Sequence, residues 1–410
     1  MAGLNETPSG ERVHIGFFGV RNAGKSSLLN AVTGQDLAVV SDTPGTTTDP
    51  VRKAMELLPV GPVLVIDTPG IDDSGDLGSL RVEKAKRVLD STDVAVLVMD
   101  STRGTTDADL KLIEAFREKN VAYAVVSNKA DLIPNGFEPK VGAVMRDESG
   151  CAFARVEASA RTLEGIDELK RTIAALAATA SAKRALVSDL VSEGDAVVLV
   201  VPTDSAAPKG RLILPQQQVI RECIDSNVHA CVTSVQGLPG MLAALVKPPR
   251  LVVTDSQVFR AVADIVPQDV PLTSFSILMA RYKGTLPVQL RAVGALESLT
   301  DDDTVLISEG CTHHRQCQDI GTVKLPAWIR DICGANPQFA FTSGGEFPGK
   351  LDGYGAVVHC GGCMLNAREM EHRAQVAVES GVPFTNYGMV IAKANGVLER
   401  SVDSLEISGF

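Results

Sequence analysis

The sequence predicts an α/β protein in which helices pack on largely parallel sheets. Three observations support this. Short aliphatic runs that are apolar on both faces alternate with helical stretches along the chain, the pattern of strands buried between two helical layers. Aromatics make up only 4% of the residues while 45% are hydrophobic, so the cores must be aliphatic and alanine-rich. The 410 residues also exceed what a single core usually holds, and imply roughly two to three domains.

Between Val13 and about Ala180 the runs Val13 to Phe18, Val63 to Ile66, Val94 to Met99 and Tyr123 to Ser127 read as parallel strands. Arg52 to Leu58 reads as an antiparallel edge strand, and a helix from about Gly165 to Ala182 closes a first domain, 1–182. A second domain, 183–268, shows three strands (Ala196 to Val201, Ala230 to Thr233, Leu251 to Thr254) and three helices (Pro215 to Asn227, Leu238 to Val246, Val258 to Val266). So small a sheet leaves exposed edges, and pairing with a second copy of the chain is the expected remedy. A third domain, 269–410, carries strands at Thr304 to Ser308, Gln338 to Thr342, Gly355 to Val358 and Pro383 to Thr385, with helices at about Asn366 to Ser380 and Gly388 to Asn395. No short-period repeat or low-complexity tract is visible.

Composition excludes several classes. A net charge of −11 gives no overall basic field to recruit nucleic acid. Met1 to Arg12 is polar and does not read as a signal peptide, and no apolar run reaches the length of a membrane span. The expectation is a cytoplasmic protein with neither membrane nor nucleic-acid partners. In that reducing compartment eight cysteines point away from a disulfide framework and towards metal ligation where they cluster.

Gly19-Val20-Arg21-Asn22-Ala23-Gly24-Lys25-Ser26 follows the first strand and precedes a helix, the context a P-loop requires. Its N–H groups, with those of the Ser27 turn, cradle phosphate, Lys25 reaches the outer phosphates, and the Ser26 hydroxyl joins the Mg²⁺ shell. Asp67-Thr68-Pro69-Gly70 follows the next parallel strand; there Asp67 can hold Mg²⁺ through water and the Gly70 N–H can sense a γ-phosphate. Asn128-Lys129-Ala130-Asp131 follows a later strand, where the Asp131 carboxylate can accept two hydrogens that guanine offers and adenine does not. Ser159-Ala160 supplies a backbone donor for the guanine O6. Together, in this order, these motifs specify GTP rather than ATP.

This region resembles the translation-factor class of small GTPases, close to the group that modifies tRNA or matures ribosomes. The resemblance makes Gly45-Thr46-Thr47-Thr48-Asp49 a switch I segment, with Thr47 the expected Mg²⁺ ligand and Thr46 the register alternative. Lys25, Thr47, Asp67 and Gly70 are then the residues that act on the γ-phosphate. Ile71 stands where Ras-like proteins carry a water-orienting Gln, so the Ras mode of catalysis is not available. Asn22 matches the asparagine that holds K⁺ in potassium-activated relatives, so slow, K⁺-stimulated hydrolysis is expected.

A second constellation lies towards the end of the chain: Cys311-Thr312-His313, answered by His359-Cys360-Gly361-Gly362-Cys363. Cys311 comes just after one strand and His359-Cys360 just after another. In one parallel sheet both arms would emerge at the same carboxyl edge, where open α/β sheets place ligands. Three thiolates with neighbouring imidazoles suit either structural zinc or a 4Fe-4S cluster with one position left for a weaker ligand. Glu309, His313, His314 and His359 are in reach of that position. Cys151, Cys223, Cys231 and Cys333 sit singly and read as small buried hydrophobes; Cys317 is ambiguous.

The P-loop segment, Ser276 to Gly284 and the Cys-x-His…His-Cys-x-x-Cys pattern together resemble the iron-only hydrogenase maturation GTPases, the HydF family, over essentially the whole chain. The resemblance implies a P-loop GTPase domain, a small α/β dimerisation domain and a parallel-sheet α/β domain binding a 4Fe-4S cluster through Cys311, Cys360 and Cys363. The fourth position would be exchangeable and filled by Glu309, His359 or His313. It further implies a homodimer that uses GTP, Mg²⁺ and K⁺. Its cargo would be a two-iron H-cluster precursor, built with radical-SAM maturases and delivered to apo FeFe-hydrogenase. The competing reading is an RNA- or ribosome-associated GTPase with a structural zinc domain.

Overall fold

The computed structural model describes residues 7–36, 50–70, 85–133, 137–180, 184–203, 212–310, 320–403 and 405. Residues 1–183 and 184–410 form two compact units.

In the first unit seven strands form one sheet: β1 (Val13–Phe18), β2 (Val51–Leu57), β3 (Gly61–Asp67), β4 (Val94–Asp100), β5 (Ala122–Asn128), β6 (Met145–Arg146) and β7 (Ala152–Glu157). Their order is β2-β3-β1-β4-β5-β7-β6, parallel in the middle and antiparallel at the two outer pairs, β2 with β3 and β6 with β7. The pleat sorts side chains between two cores. Ile15, Phe17, Val94, Val96, Val98, Ala124 and Val126 face one layer with Leu28, Leu29 and Leu176. Phe18, Ala95, Leu97 and Tyr123 face the other with Phe116 and Leu112. Because both faces are covered, the strands need apolar residues at every position, which is why they read as continuous runs.

The second unit holds two four-stranded sheets. One comprises β8 (Ala196–Val200), β9 (His229–Thr233), β10 (Leu251–Thr254) and β11 (Leu272–Ser274), in the order β11-β10-β8-β9. The other comprises β12 (Thr304–Glu309), β13 (Gln338–Ser343), β14 (Ala356–His359) and β15 (Phe384–Asn386), in the order β13-β12-β14-β15. Every pair in both sheets is parallel. A continuous core, including Val197, Leu199, Phe275, Leu278, Val305, Ile307, Val358 and Met389, runs through both.

The middle sheet has four strands where the sequence suggested three. The additional strand, β11, spans three residues that follow Pro271 and end on the helix cap Ser274 itself, too short to display an alternation of its own. A boundary between 268 and 269 therefore cuts β11 away from the sheet to which it belongs. No helix among the described residues is long and apolar enough to cross a membrane.

Candidate functional site

The nucleotide loop is shaped by β1 and the helix Lys25–Thr33. Gly24 adopts φ 84° and Asn22 φ 65°, both left-handed, which turns the chain sharply into the helix. A Cβ on Gly24 would collide with the Asn128 amide, so glycine is required by that approach as well as by its φ. The buried Lys25 ammonium pairs with the buried Asp67 carboxylate at the end of β3. Thr68 is anchored by its hydroxyl to the Phe17 carbonyl at 2.7 Å, and Gly70 lies against the Arg21 backbone, where a Cβ would approach Cα to 3.2 Å. Thus Gly19 to Ser27, Asp67 and Gly70 converge at the carboxyl ends of β1 and β3. Thr46, Thr47 and Ile71 lie outside the described residues.

The base-recognition loop is tied to this loop by hydrogen bonds. Asn128 donates from Nδ2 to the Ala23 carbonyl at 3.0 Å and accepts from the Ala160 N–H at 3.1 Å. Lys129 donates to the Asn22 carbonyl at 2.9 Å and to Asp100 Oδ2 at 2.6 Å. The Ser159 hydroxyl donates to Asp131 Oδ1 at 2.6 Å, and Arg161 pairs with Oδ2 at 2.7 Å, so the carboxylate meant for the base edge is held from both sides. Residues 159 and 160 both direct their N–H groups within the protein, Ser159 to the Glu164 carbonyl at 2.9 Å and Ala160 to Asn128. Guanine O6 would have to take the Ala160 donor in exchange.

Sequence reasoning missed Asp100, the last residue of β4. Burial alone would raise its carboxyl, but hydrogen bonds from Lys129 and Thr102 prevail and bring it down to about 2. It is therefore an anion that orients the Lys129 stem. Its signal in the sequence was a lone acidic residue ending an otherwise apolar strand.

The second constellation forms at the carboxyl edge of the third sheet. β12 and β14 are adjacent and parallel with Ser308 opposite His359, and the Cys360 N–H donates to the Ser308 carbonyl at 2.8 Å. Glu309, Gly310 and Cys360 are thereby neighbours although far apart in sequence. Cys360 Sγ accepts from the Gly310 N–H at 3.1 Å and the Gly362 N–H at 3.4 Å. Burial pushes the Cys360 thiol up to about 11; the two N–H donors oppose that, and Cys363 and Glu309 add to it. Gly362, not Gly361, takes the left-handed conformation, φ 63°, and a Cβ there would strike the Met370 sulfur. Glu309 is buried and accepts from the Tyr387 hydroxyl at 3.3 Å. Cys363 is half-buried on the same loop.

His359, one of the candidates for the fourth position, has both ring nitrogens engaged by other groups. It is fully buried at the end of β14, with Nε2 3.0 Å from Arg373 Nη1 and Nδ1 2.7 Å from the Cys360 carbonyl. A guanidinium can only donate, so Nε2 accepts and the proton sits on Nδ1, where it donates to Cys360. Burial, together with the Arg373 charge, lowers its pKa to about 3. Both nitrogens are used and neither is offered to a metal. Arg373, fully buried on the helix Ala367–Glu379, also donates to Glu369 at 2.8 Å and to the Gly344 carbonyl at 2.9 Å, and its guanidinium lies over Phe347 at 5.1 Å. Reading by sequence spacing missed it, because the contact depends on how the helix docks.

Cys311, His313, His314 and Cys317 lie outside the described residues, and among the described residues no three metal-capable side chains converge. Of the single cysteines, Cys151 and Cys223 are buried, while Cys231 and Cys333 are only half-buried. His14 is satisfied by the Ser91 and Ser9 carbonyls, each at 2.9 Å.

Family models match three successive stretches of the chain, the second of which runs past the expected boundary at 268. The 50S ribosome-binding GTPase family matches residues 14–129, the hydrogen maturase F dimerization domain matches 186–284, and the hydrogen maturase F tetramerization domain matches 287–404. Among curated proteins, the tRNA modification GTPase MnmE of Clostridioides difficile is 34% identical over 166 residues, 40% of this chain and 34% of that protein. The MnmE of a Synechococcus species is 41% identical over 123 residues, covering 30% and 26%. The chain thus spans about a third of the length of the curated relatives it matches. Among solved structures, a variant of Aquifex aeolicus Era bound to GDP·AlF4⁻ is 18% identical, covers 54% of this chain and 92% of that one, and has a TM-score of 0.34.

Proposed function

Because the chain belongs to the hydrogen maturase F family of GTPases, we propose that it is a GTP-switched scaffold that carries a metal cluster and hands on a two-iron cargo. GTP would bind with its phosphates in the Gly19 to Ser27 loop and its base against Asp131. Ser26 and Thr47 would hold Mg²⁺, with Asp67 acting through water, and Asn22 would hold the K⁺ that stands in for an arginine finger. Lys25 would exchange Asp67 for the β- and γ-phosphates, and Gly70 would register the γ-phosphate.

The donor set in the third sheet suits a 4Fe-4S cluster. Cys360 Sγ already accepts two backbone N–H groups, the support a cluster thiolate needs, and Cys363 lies three residues on, with Cys311 two residues beyond Glu309. With His359 locked by Arg373, Glu309 is the described side chain best able to fill the fourth position, as a weak and exchangeable ligand. When bound, the cluster supplies an iron with that exchangeable position, to which a two-iron H-cluster precursor can attach. Apo FeFe-hydrogenase would be the recipient, radical-SAM maturases would be the suppliers, and the cytoplasm the compartment. Residues 186–284 would join two copies through the exposed edge strand β9, giving the homodimer.

The observation that carries this reading is the meeting of Glu309 with the Cys360 loop at one sheet edge, in a chain that also carries a P-loop and the Asn128-to-Asp131 base loop. Anaerobic reconstitution with iron and sulfide, followed by EPR of the reduced protein, tests it. A reducible 4Fe-4S signal, altered in Glu309→Ala, is expected; stoichiometric zinc with no reducible cluster would refute it. The match of residues 14–129 to ribosome-binding GTPases favours the second reading, an RNA-directed GTPase with structural zinc, but the −11 charge opposes it.

A further inference from the structure

The turn after β7 builds a closed frame beside the carboxylate meant for the base edge. Ser159 fastens it at several points: its N–H donates to the Glu164 carbonyl and its own carbonyl accepts from the Leu163 N–H, each at 2.9 Å. The Ser159 hydroxyl accepts from the Thr162 N–H at 3.1 Å while it donates to Asp131 Oδ1 at 2.6 Å. Leu163 reverses the chain in the left-handed region, φ 68°. The main chain of the turn is thus pinned, and Arg161 at its tip can move only through its side chain, which is 75% exposed. That side chain is laid over Asp131. Nη2 lies 2.7 Å from Oδ2, close enough for an ion pair, yet Oδ2 is buried and accepts no aligned hydrogen bond. The Asp131 side chain is only 9% exposed, so a ligand reaches Oδ2 only if a neighbour moves, and Arg161 is the neighbour able to do so.

Guanine makes the same demand on the same atoms. Its N1–H and 2-amino group sit side by side on an N–C–N unit that is itself a guanidine, and together they need one acceptor site on each carboxylate oxygen. Oδ1 keeps such a site beside the Ser159 hydroxyl, whereas Oδ2 lies under Arg161. We propose that Arg161 is an internal competitor for the base seat, a gate whose guanidinium stands in for guanine at Asp131 and swings aside before the base is read. This rests on the reading of Asp131 as the guanine seat. The pair is exposed on the arginine side and poorly aligned, so the handicap it imposes on nucleotide capture is small, roughly twofold to fivefold. Guanine displaces it with two aligned bonds to the carboxylate. Because the gate acts on the fraction of molecules ready to bind, it slows capture and weakens apparent affinity by one and the same factor, and it leaves release of bound nucleotide untouched.

Stopped-flow capture of a fluorescent GTP analogue by the full chain, stripped of bound nucleotide, tests the gate. Arg161→Ala should capture it roughly twofold to fivefold faster with an unchanged dissociation rate, and Arg161→Lys, which keeps the charge without the fork, should fall between the two. Salt separates a gate from a passive contact. Raising ionic strength weakens the exposed pair, so the advantage of Arg161→Ala should vanish near about 1 M salt, where charges are screened beyond about 3 Å. Asp131→Asn checks the seat independently: it should give up GTP for XTP, whose 2-carbonyl accepts where guanine donates. In that background Arg161→Ala should leave XTP capture unchanged, because the charge that held Arg161 is gone. Equal capture by the unmodified chain and Arg161→Ala, with the XTP exchange intact, overturns the gate and spares the seat. Faster release from Arg161→Ala also overturns it, since Arg161 would then support the bound base. Retention of GTP by Asp131→Asn with no gain of XTP overturns the seat reading, and the gate with it.

Discussion

Replacing Arg373 with Met is expected to loosen the Cys360-to-Cys363 loop by breaking the network behind it. Arg373 is fully buried and Glu369 is 16% exposed, so the stranded carboxylate can recover some hydration. Removing one partner of a buried pair costs about 3–5 kcal/mol, and the partial exposure places this one near 3 kcal/mol. His359 Nε2 and the Gly344 carbonyl each lose a donor, at about 1 kcal/mol apiece, giving a total of roughly 5 kcal/mol. In a unit of this size that lowers the melting temperature by roughly 10–20 °C. Arg373→Lys keeps the charge but not the three-way fork, and should cost about 2 kcal/mol. Trp328, the only tryptophan in the chain, is packed against the second unit's core, so its fluorescence follows this unit and not the GTPase unit. Imidazole ¹⁵N shifts add a direct check: His359 should keep its proton on Nδ1, held by the Cys360 carbonyl, while the Nε2 shift should move in the Met variant because that nitrogen loses its donor. A melting temperature within about 3 °C of the unmodified protein in Arg373→Met, a loss of about 1 kcal/mol, would refute the argument.

Four further outcomes are expected. Asp100→Asn removes the charge that holds Lys129 and should weaken GTP binding by about tenfold, near 1.4 kcal/mol, measured by titration with a fluorescent GTP analogue. Asp147 accepts from Tyr123, Arg117 and the Cys151 N–H; burial alone would raise its carboxyl, but these bonds and those from Ser149 hold it well below the ordinary range. Because the folded value is depressed, this stabilisation is complete above the unfolded pKa, near 4, and is lost as pH falls below it. Asp147→Asn should cost about 2 kcal/mol at neutral pH and flatten that acid dependence, as read from amide exchange in β5. Cys360→Ser and Cys363→Ser should each lower reconstituted iron to below about half of the unmodified protein's content, since each removes a thiolate from the proposed three-cysteine set. Exchanging K⁺ for Na⁺ should slow GTP hydrolysis about tenfold, and Asn22→Ala should abolish the difference between the two cations.

The nucleotide loops were legible in the sequence because their donors and acceptors lie within a few consecutive residues. Gly19 to Ser26 and Asn128 to Asp131 each follow a strand whose apolar run marks its end, so connectivity places them at the sheet's carboxyl edge. The same logic put the Cys311 arm and the His359-Cys360 arm at one sheet edge, and the adjacency of β12 and β14 then brings Glu309 beside Cys360. β11 was not legible, because three residues cannot express a period. The pairing of Asp100 with Lys129 was also missed, since an acid at a strand end carries no spacing rule and only the return of β5 beside β4 brings the lysine back.

The sequence by itself therefore determined the nucleotide-binding class, the α/β architecture and the place of the Cys360-x-x-Cys363 arm just after a strand, all properties of short contiguous segments. Only the tertiary structure decided the role of His359. Its place beside a cysteine favours a ligand, but Arg373, brought across by the docked helix, takes one nitrogen while Cys360 takes the other.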